Sequence, residues 1–136
     1  MKNTIIDAGP LIALFDRDDA YHSRIVASVR TYSGRFVSTW PVVTEAMHIL
    51  RRFQLNQLSL LQWISSGGVQ IANLDTAELP EMMALFGKYA DVPMDFADCS
   101  IVQLAAKSGI HDIFTIDSDF TIFRVQGNKS FRFLAY

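Results

Sequence analysis

The sequence has a single cysteine, Cys99, among its 136 residues. An internal disulfide is therefore impossible, and a reducing cytosolic environment is expected. No apolar stretch approaches the roughly 18 uninterrupted residues that a membrane span requires. The first residues lack the long apolar segment of a signal peptide, because an acid already follows at Asp7. These absences predict a cytoplasmic protein with no membrane segment.

Charge is also scarce and nearly balanced. Twelve Lys and Arg residues against 14 Asp and Glu residues give a formal net charge of -2. This balance argues against a protein that holds nucleic acid by bulk positive charge. It does not exclude a nuclease, because a cation bound in an acidic pocket can supply the positive charge that a phosphate meets. Half of the residues are apolar, and no repeat or Pro/Gly-rich linker divides the chain, so residues 1–136 are expected to form one domain.

Short β-rich segments alternate with longer segments of helical periodicity. The predicted strands cover residues 3–7, 35–39, 69–74, 112–117 and 130–135. The predicted helices cover residues 10–16, 21–32, 41–53, 55–65, 76–89 and 93–108. Strands that are separated by helices indicate crossover connections, and these favour an α/β fold with a parallel sheet that is covered on both faces. In such sheets, functional residues collect beyond the carboxyl ends of the strands.

Four acids lie within or directly after apolar segments. Asp7 and Asp117 each close a predicted strand, Asp98 falls on the apolar face of its helix, and Glu45 lies at the margin of another apolar stripe. Carboxylates in such places lose hydration at a cost of several kcal/mol unless a cation compensates. Because no cluster of Lys or Arg accompanies them, a hard divalent ion, Mg²⁺ or Mn²⁺, is expected. The pattern indicates metal-dependent phosphodiester chemistry.

Each acid taken alone also has a purely structural reading. These readings are a helix cap for Asp7, an acid in the first helical turn for Asp95, an ion-pair partner for Glu45, and turn formers for Asp117 and Asp119. The argument for a metal site therefore depends on the joint position of the acids at one end of one sheet.

Other kinds of active site fit the sequence poorly. Cys99 lies among carboxylates, which disfavour a thiolate nucleophile, and the three histidines show no zinc-ligand spacing. The segment Asp117-x-Asp119-x-Thr121 resembles the nucleophile motif of haloacid-dehalogenase-type phosphatases. Those enzymes need a long chain downstream of the first Asp, but only 19 residues follow Asp117 here. A receiver-like signalling domain would need a pair of acids after the first strand and a Lys after the last, and neither is found.

Four segments, taken in order, resemble the PIN-domain family and, within it, the VapC-type toxins. They are residues 5–15 (IIDAGPLIALF), 42–46 (VVTEA), 94–98 (MDFAD) and 115–120 (TIDSDF). The resemblance implies a three-layer α/β/α sandwich with a mostly parallel sheet, and a ribonuclease that depends on Mg²⁺ or Mn²⁺. It also implies that the metal acids are Asp7, Glu45, Asp98 and Asp117, with Asp119 as a neighbouring candidate. Asp95, one helical turn before Asp98, is a further candidate acid.

The resemblance implies that Asp7 and Asp98 hold the metal, while Glu45 and Asp117 complete its shell directly or through water. It also implies that no side chain acts as a covalent nucleophile. Many family members carry Ser or Thr directly after the first Asp, where this chain has Ala8. The difference removes a supporting hydroxyl but no ligand.

The resemblance also implies an RNA substrate and leaves the biological role open. Small members are commonly toxins that a partner antitoxin holds inactive, whereas others are solitary PIN proteins in RNA processing, and a non-cleaving nucleic-acid-binding module is a third possibility. Four basic side chains are candidates for guiding the RNA backbone, with a solvated surface as the alternative: Arg51, Arg52, Lys107 and Arg124.

The helix predicted at 55–65 carries more apolar side chains than one buried face requires. They are Leu55, Leu58, Leu61, Trp63 and Ile64. Apolar patches of this kind mark interfaces, although a crowded core contact is the alternative. We therefore expect a homodimer, with a groove formed by the helices at 41–65 that is open to a partner such as an antitoxin.

Overall fold

The computed structural model describes residues 1–136 and contains seven strands. They are β1 (Asn3–Ile6), β2 (Arg35–Ser38), β3 (Val69–Ile71), β4 (Asp112–Phe114), β5 (Arg124–Val125), β6 (Lys129–Ser130) and β7 (Arg132–Phe133). Five of them form one parallel sheet in the order β3-β2-β1-β4-β7. The other two, β5 and β6, form a separate antiparallel hairpin.

Six α-helices connect and cover the strands of the sheet. They are α1 (Ala8–Phe15), α2 (His22–Thr31), α3 (Trp40–Ile49), α4 (Gln54–Ser65), α5 (Leu79–Lys88) and α6 (Phe96–Ser108). Short 3₁₀ turns cover Leu50–Arg52, Thr76–Glu78 and Ser118–Thr121. None of the helices combines the length and the apolar character that crossing a membrane would require.

The core lies between the helices and the central strands. Ile5 and Ile6 on β1, and Ile113 and Phe114 on β4, are completely buried although their side chains alternate between the two faces of the sheet. Burial on both faces is the pattern of a parallel sheet that helices flank. The predicted α/β fold with a central parallel sheet is confirmed.

Several predicted elements end earlier or begin later in the structure. The strands predicted at 69–74 and 112–117 leave the sheet after Ile71 and Phe114. The strand predicted at 130–135 is divided between β6 and β7, because the buried Phe131 lies between them and turns the chain into the core. The helix predicted at 93–108 begins only at Phe96, since the side chain of Asp95 caps it.

The prediction from helical periodicity on α6 is wrong at one position. The apolar face of this helix predicts that Gln103, on the opposite side, points into solvent, but Gln103 is only 3% exposed. Residues 97–105 are all buried, because α6 is covered on more than one side. The amide of Gln103 is satisfied by donating to the carboxylates of Glu78 and Glu81, at 3.1 and 2.9 Å.

Candidate active site

Two of the predicted acids follow neighbouring strands. Asp7 comes directly after β1, and Asp117 lies three residues beyond β4. Ile6 and Phe114 are paired in register, and the backbone N–H of Asp7 donates to the carbonyl of Phe114 at 2.9 Å. Because the strands are parallel, their carboxyl ends meet at one edge of the sheet, as predicted for these acids.

Asp98 and Asp95 are held together by the first turn of α6. The N–H of Asp98 donates to Asp95 Oδ1 at 2.8 Å, and the N–H of Asp95 donates to Asp98 Oδ2 at 3.2 Å. This reciprocal capping box satisfies two backbone donors at the helix N-terminus. It also turns the carboxylate of Asp98, which is only 6% exposed, toward the helix N-terminus.

A hydroxyl that the sequence analysis missed supports the first acid. Thr115 Oγ1 donates to Asp7 Oδ2 at 2.8 Å and accepts from the backbone N–H of Asp117 at 2.9 Å. This one side chain therefore links two acids that lie far apart in sequence. It provides a hydroxyl for Asp7 from the next strand, where Ala8 provides none. The sequence signal that could have indicated Thr115 is a polar residue directly after the apolar residues Ile113 and Phe114 of a strand.

Further buried hydroxyls connect the elements that carry the acids. Thr39, the N-cap of α3, is hydrogen-bonded to Ser100 of α6 at 2.7 Å. Ser38 at the end of β2 donates to the carbonyl of Ile6 at 2.8 Å. The first bond ties together the helices that bear Glu45 and Asp98, the second joins β2 to β1, and no sequence motif predicted them.

Burial raises the pKa values of three of these acids. Burial raises the pKa of Asp7 to about 6, against the hydrogen bond from Thr115, with smaller contributions from the charges of Asp117 and Asp95. Burial, together with the charges of Asp95 and Asp7, raises the pKa of Glu45 to about 7. Burial also raises the pKa of Asp98, and the charge of Asp95 adds to this effect. The charges of Asp95 and Asp117 thus act on all three of these acids, and we call Asp7, Glu45, Asp95, Asp98 and Asp117 the acid cluster.

No Lys or Arg side chain forms an ion pair with an acid of the acid cluster. The ion pairs of the protein join Lys2 and Arg132 to Asp112, and Lys107 to Glu78. The acids also do not stand as a ready-made ligand set, because no three His, Cys, Asp or Glu side chains are grouped so as to coordinate an ion. Asp7 Oδ2 accepts from Thr115 and Asp98 Oδ2 accepts from the N–H of Asp95, so hydrogen bonds within the protein orient these two carboxylates.

Asp119 differs from the other acids. Its backbone N–H donates to Asp117 Oδ1 at 2.9 Å, so it follows Asp117 in the 3₁₀ turn that begins at Ser118. It is not among the charges that raise the pKa values of Asp7, Glu45 or Asp98. The structure therefore groups Asp95, but not Asp119, with the four principal acids.

Each of the four basic residues considered for RNA contact makes a contact within the protein. Lys107 is bound to Glu78 and to the carbonyl of Asn73, and Arg124 donates to carbonyls of the 3₁₀ turn before it. Arg51 donates to a carbonyl of α3, and Arg52 lies over the ring of Phe53. Their contact with RNA stays a prediction.

We expect Thr115→Val to raise the pKa of Asp7 further. The substitution keeps the shape of the side chain but removes the hydrogen bond that favours the ionised carboxylate. The loss of this bond should also cost about 1–2 kcal/mol of unfolding free energy. A carboxyl-carbon NMR titration and urea unfolding would measure the two effects. Thr31→Val, which removes a hydroxyl on the exposed side of α2, is the control, and equal titration curves for both variants would contradict the prediction.

Known proteins share both the sequence pattern and the fold. Residues 4–125 match the family model of the PIN domain. Ribonuclease VapC26 of Mycobacterium tuberculosis is 27% identical over 115 residues, which cover 83% of this chain and 85% of that protein.

Two solved structures extend the comparison to the fold. VapC20 of M. tuberculosis, a toxin that cleaves the sarcin-ricin loop, superimposes with a TM-score of 0.80 at 16% identity and covers 88% of this chain and 93% of its own. VapBC2 of Rickettsia felis, solved bound to a DNA fragment from its promoter, superimposes with a TM-score of 0.64 at 12% identity over 96% and 98% of the two chains. At these identities the superpositions show a common fold. The family match, which spans most of the chain, shows that the protein belongs to the PIN-domain family.

Proposed function

We propose that this protein is a metal-dependent endoribonuclease that hydrolyses phosphodiester bonds of RNA at the acid cluster. The observation that carries the proposal is a set of three carboxylates with raised pKa values, the buried Asp7 and Asp98 and the half-buried Glu45, with which no Lys or Arg forms an ion pair. Such a set of carboxylates destabilises the fold unless a cation compensates their charge. Carboxylates with raised pKa values in one place are typical of functional sites.

Mg²⁺ or Mn²⁺ fits the chemistry of these ligands. The donors are all carboxylate oxygens, which hard divalent ions prefer, and no thiolate or imidazole lies among them. Asp7 and Asp98 would hold the ion, with Glu45 and Asp117 completing its shell directly or through water. A bound ion supplies positive charge that lowers the pKa of its water and offsets the charge that develops on the phosphate.

The protein's own residues keep these carboxylates in place. Thr115 holds Asp7 and the backbone of Asp117, while the capping box holds Asp98 at the start of α6. Hydrogen bonds that hold a metal-binding side chain in this way orient it and affect metal affinity by roughly 10- to 100-fold. No side chain is needed as a covalent nucleophile, because water can attack the phosphate.

RNA is the proposed substrate because the relatives are named for acting on RNA. VapC26 is a ribonuclease and VapC20 cleaves the sarcin-ricin loop. A toxin role is proposed for the same reason, since VapC20 is a toxin and VapBC2 is recorded as a pair on its promoter DNA. On this basis we propose an antitoxin protein as the partner of this chain.

We expect the purified protein to cut a structured RNA in the presence of Mg²⁺ or Mn²⁺ and to stop when excess EDTA is added. The reason is that the acid cluster has no cation of its own to stabilise the charge of the phosphate. Gel analysis of a labelled RNA would follow the reaction, and restoring the metal should restore cleavage. Cleavage that persists in EDTA would contradict metal dependence.

The proposed assembly depends on exposed leucines of α4. Leu55, Leu58 and Leu61 are exposed, Leu55 by 78%, and we call these residues the α4 patch. The sequence analysis grouped Trp63 and Ile64 with these leucines as candidates for the apolar patch. Both are instead partly buried against the core. Contiguous apolar surface of this kind on a small protein favours an interface.

We expect the protein to be a homodimer at tens of micromolar, and Leu58→Glu to yield monomers, because a charge on the α4 patch would have to be buried. Light scattering would measure the mass of both proteins. Met83→Glu on α5 is the control, since Met83 is also exposed, by 69% against 53% for Leu58, but lies on another helix. A monomeric wild-type protein would contradict the dimer.

Co-expression with a small protein encoded upstream would test the antitoxin, and failure to co-purify would favour a solitary PIN nuclease.

A further inference from the structure

A cavity of about 250 Å³ opens at the carboxyl edge of the sheet, beyond β2 and β3, and none of the acid cluster lines it. Its walls come from the start of α3, the start of α6, α5, and residues 72–78, which we call the β3–α5 loop. The residues that matter to the argument are Trp40, Pro41, Asn73, Leu79, Met82 and Phe96.

Both aromatic rings of this cavity are placed by elements that also carry acids. Phe96 is the first residue of α6 and lies between Asp95 and Asp98 in sequence. Trp40 is the first residue of α3, the helix that carries Glu45. The hydrogen bond between Thr39 and Ser100 joins these two helix starts. The cavity lies beyond the carboxyl ends of β2 and β3, at the same edge of the parallel sheet where Asp7 and Asp117 follow β1 and β4.

The rings are open to a ligand although the cavity is apolar. Trp40 and Phe96 are each about half exposed, and Leu79 is also exposed, whereas Met82 is buried at the base. Aromatic faces of this kind stack on unpaired bases of single-stranded RNA, and every base presents such a face. Asn73 also lines the cavity, and its amide carries both donors and an acceptor, the groups that pair with the edge of a base.

The β3–α5 loop is fixed rather than loose, so the cavity is already formed. Lys107 Nζ donates to the carbonyl of Asn73 at 2.7 Å and to Glu78 Oε2 at 3.1 Å. Glu78 also accepts from the backbone N–H of Asp75 at 2.7 Å and from the amide of Gln103 at 3.1 Å. A preformed cavity lowers the entropic cost of ordering a ligand.

We infer that this cavity binds an unpaired nucleobase of the RNA, stacked on Phe96 and Trp40, and thereby positions the adjoining phosphodiester at the acid cluster. The inference rests on the proposed function for the identity of the polymer. A base fits the observations better than a partner's side chain does, because the cavity combines two aromatic faces, a polar amide and a position at the same edge of the sheet as Asp7 and Asp117.

The test measures binding of a ten-nucleotide single-stranded RNA in the Asp7→Asn background, which is expected not to cut. Binding should quench the fluorescence of Trp40. Trp40→Phe should remove that quenching while a competition assay shows that most of the affinity remains. Phe96→Ala should weaken binding about tenfold, because stacking contributes on that scale per base. Phe96→Tyr should restore it, and Phe133→Ala, which removes a half-exposed ring from β7 at the far edge of the sheet, should have no effect.

A second RNA series identifies the base. Replacing one nucleotide at a time by an abasic residue should weaken binding by a similar factor at one position only. In Phe96→Ala, the same abasic replacement should cost nothing further, because the ring and the base contact each other. If Phe96→Ala binds as tightly as Phe133→Ala, or if the abasic penalty persists in full, the base cavity is wrong. A change of oligomeric mass in Phe96→Ala with unchanged RNA affinity would also overturn it and would identify a protein interface.

Cleavage by the wild-type protein, measured in parallel, separates this inference from the proposed function. If the protein cuts RNA but Phe96→Ala binds normally, only the base cavity fails. If base-dependent binding is seen without any cleavage in Mg²⁺ or Mn²⁺, the nuclease proposal fails and a base-binding module remains. If the RNA does not bind at all, the base cavity fails, and the cleavage measurement alone decides the nuclease proposal.

Discussion

Asp98→Asn is expected to remove RNA cleavage while leaving the fold intact. The amide cannot supply the negative charge that a divalent ion requires, so activity should fall by more than the roughly 100-fold that loss of an outer-shell partner costs. The Asn side-chain oxygen can still accept the hydrogen bond from the N–H of Asp95. Stability should hold or rise, because one of several mutually repelling carboxylates is neutralised.

Asp7→Asn should behave in the same way, since its oxygen can still accept from Thr115. Cleavage rates and urea unfolding would be measured together for both variants. Asp91→Asn, which changes an exposed acid outside the acid cluster, is the matched control. If both active-site variants cut at the rate of this control, the hydrolase proposal must be given up.

The second large effect is stabilisation by metal. At about 100 times its dissociation constant, an ion that binds only the folded state adds about 2.7 kcal/mol of unfolding free energy, which corresponds to a rise in melting temperature of roughly 10 °C. Millimolar Mg²⁺ or Mn²⁺ should give this rise in the wild-type protein, and Asp98→Asn should abolish it. A melting curve that does not change with metal would contradict the site.

The pH dependence has a definite sign. In the folded state the pKa of Asp7 is raised from 3.8 to about 6, and that of Glu45 from 4.5 to about 7. At pH values between the ordinary and the raised pKa of each group, the folded state binds more protons than the unfolded state. The metal-free protein should therefore lose stability as the pH rises from about 4 to about 7. The stabilisation by metal should therefore be largest above pH 7. Thermal unfolding at a series of pH values, with and without EDTA, would measure both trends.

How much of the site can be predicted from sequence depends on where each acid lies. Asp7 and Asp117 were predictable, because each follows an apolar strand and parallel strands end at the same edge. Asp98 was predictable from helical phase, since the same phase that buries its neighbours buries it. The role of Asp95 was not, because an acid before a helix has the same pattern whether it only caps or also faces other carboxylates.

The residues that support the site depend on contacts across the fold. Thr115 and Asp7 are 108 residues apart, and Thr39 and Ser100 are 61 apart. Single hydroxyls at strand ends and in helices have no periodicity, so nothing in the local pattern marks them. Gln103 failed for a related reason. Periodicity predicts one buried face per helix, whereas the surroundings of α6 bury almost all of it and satisfy the amide with distant carboxylates.

The sequence by itself determined the alternation of strands and helices, the parallel sheet, and the acids that close apolar segments, because these depend on local periodicity and on the burial of apolar side chains. Only the tertiary structure decided which groups meet. It brought Asp95 into the acid cluster, left Asp119 outside it, placed the hydroxyl of Thr115 on Asp7, and formed an aromatic cavity at the same edge of the sheet. Those outcomes follow from the register of the strands and the packing of helix starts, which bring together residues far apart in the chain.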